Sequence, residues 1–418
     1  MKKAPEKSQL QQELTDVWNA DRFAATNEGK LMFVPQRGNW FEFDGVIWQE
    51  DSKRHVVQQA INLTRDMILE ASKMMIDAAM GNGDVFKATQ LAKHAKNSQS
   101  KKSIEAMISL AQSYPQLCKN QGELDADDEI LAVQNGVLDL KAGTFRDGNP
   151  NDLITRQSKA EFLGGSEEVS CPLFLEFLQT VQPDPDVRHW LQKLAGYCLT
   201  GRGDEQIMLV FQGGGSNGKS VFVDVLKRVL GGYSKNVQFD TFVAADKKSD
   251  ARNDLAALDK ARLVVAQEGQ DGARLDEGIV KQLAGQDEVT ARFLHKEFFS
   301  FYPKFKAILV TNHKPVISGS DNGIWRKIVL VPWGVTIPTE KRDRRLIDKL
   351  EAELPGILAW CVEGYHLWRE QGLSELPQEI LKANAEYRKD SDVLGCWRAF
   401  KTDHLCALNF DQAYLHRI

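Results

Sequence analysis

Apolar positions recur at helical spacing over residues 54–80 and again over 85–117, with Asn82-Gly83-Asp84 between the two stretches. Before them, LMFVPQRGNWFEFDGVIWQE (31–50) mixes aromatic and β-branched residues around two glycines. It predicts two short strands with a turn at Asp44-Gly45. Residues 1–22 are polar and acidic, a helix or a loose lead-in. Strand character returns over 120–156, where NGVLDL and GTFRDG predict a hairpin turning at Gly143. Residues 172–200 are helical in pattern, broken at Pro183 and Pro185.

From residue 206 the pattern changes. IMLVFQ reads as a strand, runs into a glycine loop, and is followed by VFVDVLKRVL, apolar at helical spacing. RLVVAQ and KAILVT read as two more strands, ending at Glu268 and Asn312. Strands alternating with helices predict an α/β core with a largely parallel sheet. Between them, DEVTARFLHKEFFSFYPKFK (287–306) predicts two strands with a tight tip at His295-Lys296-Glu297. Residues 343–389 read as helices punctuated by Pro355 and Pro377, and the stretch from 391 begins as a helix. The boundaries that follow are a lead-in (1–30), a mixed α+β N-terminal domain (31–200), the α/β core (201–340) and a helical C-terminal segment (341–418). No internal repeat is visible.

Composition narrows the class. With 418 residues, 42% apolar and 27% charged, the chain is an ordinary globular protein of several domains. Its 53 basic and 58 acidic residues leave a net charge of −5, so any nucleic-acid site has to be a local basic patch. The six cysteines are scattered, with no Cys-x-x-Cys spacing, and read as reduced thiols. The N-terminal lysines have no apolar run behind them, and the longest nearly apolar run, IVLVPWGVTIP, is too short for a bilayer. A cytoplasmic protein without a membrane partner is expected.

The strongest chemical signal is GGGSNGKS at 213–220, which fits G-x-x-x-x-G-K-[ST] between a strand and an amphipathic helix. Glycines let backbone N–H groups surround phosphate oxygens, and the helix that follows points its positive end at them. Gly213, Gly214, Gly215, Ser216, Asn217 and Gly218 form the cradle. Lys219 is placed to reach the β/γ-phosphates of ATP, and the Ser220 hydroxyl to ligate Mg²⁺. Hydrolysis also needs a strand-end carboxylate to orient water and help hold the metal. Glu268 is the candidate and Asp271 the weaker alternative. Asn312 ends the next buried strand, where an amide can hold water or sense the γ-phosphate, or simply form a turn. Arg292, His295 and Lys296 cluster with phenylalanines around the hairpin tip. Basic residues beside aromatics suit DNA, although core phenylalanines and a solvated lysine give the same pattern. Residues 85–104 hold Lys87, Lys93, His94, Lys96, Lys101 and Lys102 without an acid: a solvated helix face in the simpler reading, a DNA-facing surface in the alternative.

Four blocks in order, GGGSNGKS, RLVVAQE, KQLAGQDEVTARFLHKEFFSFYPKFKAILVTNHKP and SDNGIWRKIVLVPW, resemble superfamily 3 helicases. More narrowly, they resemble the C-terminal helicase part of satellite-phage and plasmid primase-helicases and of the related poxvirus primase-helicase. Lys281, Gly285, Asp287, Arg292, Lys306, Asn312 and Pro315 fall in family positions, and the likeness runs from about residue 30 to 390. The resemblance implies an AAA+-like P-loop NTPase core and a ring, expected as a hexamer, with ATP sites between subunits. It implies that Lys219, Ser220 and Glu268 act in one subunit, that Asn312 senses the γ-phosphate, and that a neighbour supplies a cationic finger. It further implies a hairpin that grips single-stranded or forked DNA through Lys296 and His295, movement 3′ to 5′, replication partner proteins, and a mobile-element origin in a bacterial host.

The chain departs from the family pattern in four places. Gln267 stands where many relatives place a second acid. The finger block reads Trp325-Arg326-Lys327 where relatives have two arginines, so Arg326 and Lys327 both stay candidates. A winged helix is expected to be absent or truncated after Asp390, and no primase catalytic triad is recognisable in the first 200 residues. The alternatives to a helicase are a P-loop ATPase that remodels or translocates without unwinding, in defence or packaging, and a small-molecule kinase.

Overall fold

The computed structural model describes residues 14–164, 169–244, 253–267, 272–292, 298–317 and 322–391. They form two compact units, one within residues 14–126 and 147–155, the other within 127–146 and 156–391.

In the first unit, α1 (Asp16–Asn27) starts at Thr15, whose Oγ1 accepts from the Trp18 N–H. An antiparallel meander follows, β1 (Leu31–Val34), β2 (Asn39–Phe43) and β3 (Trp48–Glu50). Sequence pattern predicted two strands here. Pro35 to Gly38 make an additional turn, closed by the Gly38 N–H on the Val34 carbonyl at 2.9 Å. The expected Asp44-Gly45 turn is present, with Asp44 Oδ1 accepting from Val46 and Ile47. Three helices complete the unit: α2 (His55–Ala79), α3 (Val85–Ser98) and α4 (Lys101–Ala111). Phe23, Phe33, Trp40, Leu63, Met107 and Leu117 meet in its core.

The second unit opens with a small antiparallel sheet, β4 (Ile130–Val133), β5 (Gly136–Asp139) and β6 (Thr144–Arg146). Helices α5 (Pro172–Val181) and α6 (Pro185–Cys198) follow, each with proline in the first turn, where no backbone donor is needed. Then come β7 (Met208–Gln212), α7 (Lys219–Leu230), β8 (Ser234–Val237), α8 (Asn253–Ala256), β9 (Leu263–Gln267) and α9 (Glu277–Gly285). A hairpin of β10 (Val289–Arg292) and β11 (Phe298–Phe301) leads into β12 (Lys306–Thr311). The described chain ends with α10 (Asn322–Trp325), β13 (Ile328–Pro332), α11 (Leu346–Glu351), α12 (Leu354–Gln371) and α13 (Gln378–Ser391).

The central sheet is wholly parallel, in the order β13-β7-β12-β9-β8, with Ile308 opposite Leu209 on one side and Val265 on the other. This is the expected α/β, AAA+-like core. Alternate residues face opposite layers. Leu209, Phe211, Val265, Ile308 and Val331 pack with Phe174, Trp190, Phe222 and Tyr365 of α5, α6, α7 and α12. Met208, Val210, Val264, Leu309 and Leu330 pack with Val280, Leu283, Ile324 and Tyr387 of α9, α10 and α13. Because α5 and α6 share the first of these layers, the boundary expected at 200 falls inside this unit. Buried cations tie the sheet's base to the same segment: Lys306 Nζ donates to the Thr200 carbonyl at 2.6 Å, and the Arg262 guanidinium to the Leu199 and Ile130 carbonyls. The β13 edge is covered as well, Asn384 exchanging two hydrogen bonds with the Leu330 backbone.

Candidate functional site

At the C-terminal end of β7 the chain must turn sharply into α7, and two glycines make that possible. A Cβ on Gly213 would lie 2.3 Å from the Trp333 carbonyl oxygen, and Gly218 adopts φ +80° with a Cβ position 2.6 Å from Val181 Cγ1. Gly218 is also the N-cap of α7, so no side chain satisfies the helix's first amides, which are left for an anion. The loop is braced from outside. Asn217 Nδ2 donates to the Trp333 carbonyl at 2.9 Å, and the Ile337 N–H to the Ser216 carbonyl at 2.9 Å. These braces were not apparent from spacing, because Trp333 and Ile337 are distant in sequence and of ordinary residue type.

Lys219 points back under the loop. Its Nζ donates to the Gly213 carbonyl at 2.8 Å, to Asn217 Oδ1 at 2.7 Å and to Asn312 Oδ1 at 3.3 Å. The residue is 4% exposed, and burial lowers its pKa. All three partners are neutral, and no carboxylate pairs with it among the described residues. A buried ammonium without a counter-charge is costly, and none of the described residues supplies one here. The cavity beside it, of about 580 Å³, is lined by the loop from Gly215 to Ser220 and by Gln267, Thr311 and Asn312. It lies over the ends of β7, β9 and β12, the usual position for ligands of an open parallel sheet.

The structure thus brings Gly213, Gly214, Gly215, Ser216, Asn217, Gly218, Lys219 and Ser220 together with Asn312 at one sheet end. Glu268 and Asp271 follow Gln267 but lie outside the described residues. No group of three His, Cys, Asp or Glu side chains that could hold a metal ion occurs among the described residues, and Ser220 lines the cavity.

Arg326 and Lys327 are elsewhere. They precede β13, and the Lys327 carbonyl accepts from Met208 N–H at the start of β7, about 16 Å of strand from the loop. Arg326 is exposed and has no side-chain partner among the described residues. Lys327 rests against its own chain, its Nζ 3.4 Å from Gln206 Oε1 and facing Gly285. Arg292 lies on the stem of the hairpin, its guanidinium 4.8 Å over the ring of Phe298, which is 60% exposed. His295 and Lys296, expected at the tip, lie outside the described residues. Lys306, one of the family positions, serves the fold: its ammonium is buried over the Tyr197 ring at 4.1 Å. No helix among the described residues is long and apolar enough to cross a membrane.

Comparison with known proteins agrees with this architecture. Residues 20–183 match the family described as D5 N terminal like, and residues 211–327 match a family of unknown function (DUF5906). Protein L207/L206 of Acanthamoeba polyphaga mimivirus, provisionally named a helicase, is 27% identical over 86% of this chain and 40% of its own length. Protein C962R of African swine fever virus, provisionally named a primase, is 25% identical over 49% of this chain and 22% of its own length. The chain therefore spans well under half the length of these relatives. Among solved structures, the apo C-terminal region of NrS-1 shares the fold, with TM-score 0.51 and 11% identity over 90% of this chain and 75% of that one.

Proposed function

We propose that this chain, a member of the primase-helicase family, is an ATP-driven motor of DNA replication that assembles as a ring and moves on single-stranded DNA. One observation carries the reading: the buried Lys219 ammonium, held by three neutral oxygens beneath a glycine loop, has no counter-charge among the described residues, and a polyphosphate would supply it.

In this reading the loop amides and the first turn of α7 cradle the phosphates, and Lys219 neutralises charge on the β/γ side. Ser220, with Glu268, would hold Mg²⁺, which supplies charge neutralisation at the phosphates. Glu268 orients the attacking water. Asn312, already bonded to Lys219, reports the γ-phosphate to β12 and to the hairpin that precedes it in the chain. Arg326 and Lys327 are too far from the cavity to act in their own subunit, which fits a finger given to a neighbour. Arg326 is the better candidate, being exposed and unpartnered among the described residues. In this reading Arg292, His295 and Lys296 contact DNA from the hairpin, with Phe298 exposed beside Arg292 for a base to stack on.

The test is ATP-dependent strand displacement on a forked duplex, with Lys219→Ala as control. Unwinding lost in that variant supports the reading. ATPase activity that DNA stimulates, without strand displacement, would favour a translocase that does not unwind. A purified protein that stays monomeric with nucleotide and DNA contradicts the ring.

A further inference from the structure

Helix α3 of the first unit buries Ala88, Leu91, Ala95 and Ser98 on one face. At about 3.6 residues per turn, the opposite face presents Phe86, Gln90, Lys93 and Asn97, with Lys96 at its margin. Phe86 is 68% exposed. Lys93 and Lys96 are exposed and have no side-chain partner among the described residues. Helix α4 begins directly afterwards, capped by Ser100, with Lys101 and Lys102 in a first turn that holds no acid. Lys101 reaches Glu105 at 3.6 Å in an almost fully solvated pair, and Lys102 is free among the described residues.

This arrangement runs against helix electrostatics. The N-terminal end of a helix carries positive partial charge and disfavours cations, yet Lys101 and Lys102 occupy the first turn of α4, while Lys87 in the first turn of α3 lies 4.0 Å from the capping carboxylate of Asp84. Residues 85–104 concentrate five lysines and no Asp or Glu, in a chain whose net charge is −5. His94 does not add to the charge. It turns inward to Asn19 at 2.8 Å, packs edge-on to Trp18, and burial lowers its pKa. Packing gives no account of these exposed lysines. An anion over the surface does, since the α4 N-terminus and the lysines around it then act in the same sense.

We propose that the outer face of α3 and the first turn of α4 form a second nucleic-acid site, binding the phosphodiester backbone of a single strand, with Phe86 as the stacking platform for a base. A single strand is selected because its bases are free to stack on an exposed ring. The proposal takes nucleic acid as partner from the motor reading but requires neither ATP hydrolysis nor the hairpin.

Fluorescence anisotropy of a fluorescein-labelled oligothymidylate, titrated with the full-length protein over a salt series, tests it. K93Q/K96Q/K102Q is expected to reduce the slope of log K against log salt by about 2, at ~0.7 for each phosphate no longer neutralised, and to weaken low-salt binding about tenfold or more. Phe86→Ala is expected to weaken binding of oligothymidylate several-fold and to leave an abasic phosphodiester strand unaffected. Lys219→Ala should lose hydrolysis and keep the full salt slope, so failure of the motor reading and of this one are told apart. An unchanged slope in the triple variant overturns the proposal. So does a triple variant that binds DNA normally but sediments differently, because the face would then join copies of the chain. Equal loss on both strands in Phe86→Ala overturns the stacking role.

Discussion

The ammonium of Lys219 lies 3.3 Å from the side-chain oxygen of Asn312, linking the helix after β7 to the end of β12. The contact joins two residues 93 positions apart, where a buried charge faces a cavity with no opposite charge among the described residues. Desolvation of that charge weighs against the ligand-free fold. Lys219→Met is therefore expected to leave the ligand-free melting temperature unchanged or higher, while removing stabilisation by ATP and Mg²⁺ and abolishing hydrolysis. Thermal melting with and without nucleotide checks it. A lower ligand-free melting temperature would show that Lys219 serves the fold.

Asn312→Asp gives a complementary outcome. The new carboxylate would face Lys219 across the same short distance and supply the missing negative charge. The ligand-free protein should melt at a higher temperature. Nucleotide should bind at least about tenfold more weakly, because the phosphates now compete with an internal anion and meet its repulsion. Titration of a fluorescent ATP analogue measures the loss, and unchanged affinity would mean that Asn312 does not face the phosphates.

The sequence made the cradle legible because its chemistry is local: GGGSNGKS carries turn, charge and helix start within eight residues. Strands β7, β9 and β12 were equally plain, being short apolar runs buried on both faces. Strand β8, Ser234–Val237, was missed because an edge strand with a single apolar residue has no hydrophobic signature. The three-stranded meander was read as two strands because one turn signal, Asp44-Gly45, masked the earlier one at Pro35 to Gly38. The role of α5 and α6 was hidden for a different reason. Their apolar stripes show that they pack, but not on which core, and tertiary contact alone assigns Phe174 and Trp190 to the sheet.

Lys306 makes stability depend on pH. Complete burial pushes its pKa down to about 7, against 10.5 for a free lysine. Between those values the unfolded chain binds a proton that the folded chain has released, so stability rises with pH through that window. The contribution is at most about 1.4 kcal/mol per pH unit. From about pH 8.5 the thiols of Cys171 and Cys198, both raised to about 12 by burial, begin to oppose it, because the unfolded chain then loses protons first. Urea unfolding should thus show stability increasing from about pH 7 to about 8.5, and Lys306→Met should flatten that slope. The substitution also removes a donor from the Thr200 carbonyl, which shifts stability at every pH, so the slope is the informative quantity. An equal slope in both proteins would mean that Lys306 stays charged in the folded chain throughout the range.

Placement of the finger can be resolved by mixing subunits. Arg326 is exposed and unpartnered among the described residues, while Lys327 is held against Gln206 and Gly285 of its own chain. Arg326→Ala is expected to reduce hydrolysis by about 10³-fold or more, the range for a cation supplied in trans, with unchanged melting. Lys327→Ala should have the smaller effect on hydrolysis. Neither residue can reach the Lys219 cavity in its own subunit, so on the proposed ring the loss is expected across an interface. Subunits carrying Arg326→Ala and subunits carrying Lys219→Ala are each inactive alone. In a mixed ring, an interface that pairs the intact Lys219 of one with the intact Arg326 of the other is complete. Hydrolysis should therefore reappear on mixing. If the mixture stays inactive while both proteins still assemble, Arg326 does not act in trans, and the block at 325–327 supports the strand it precedes.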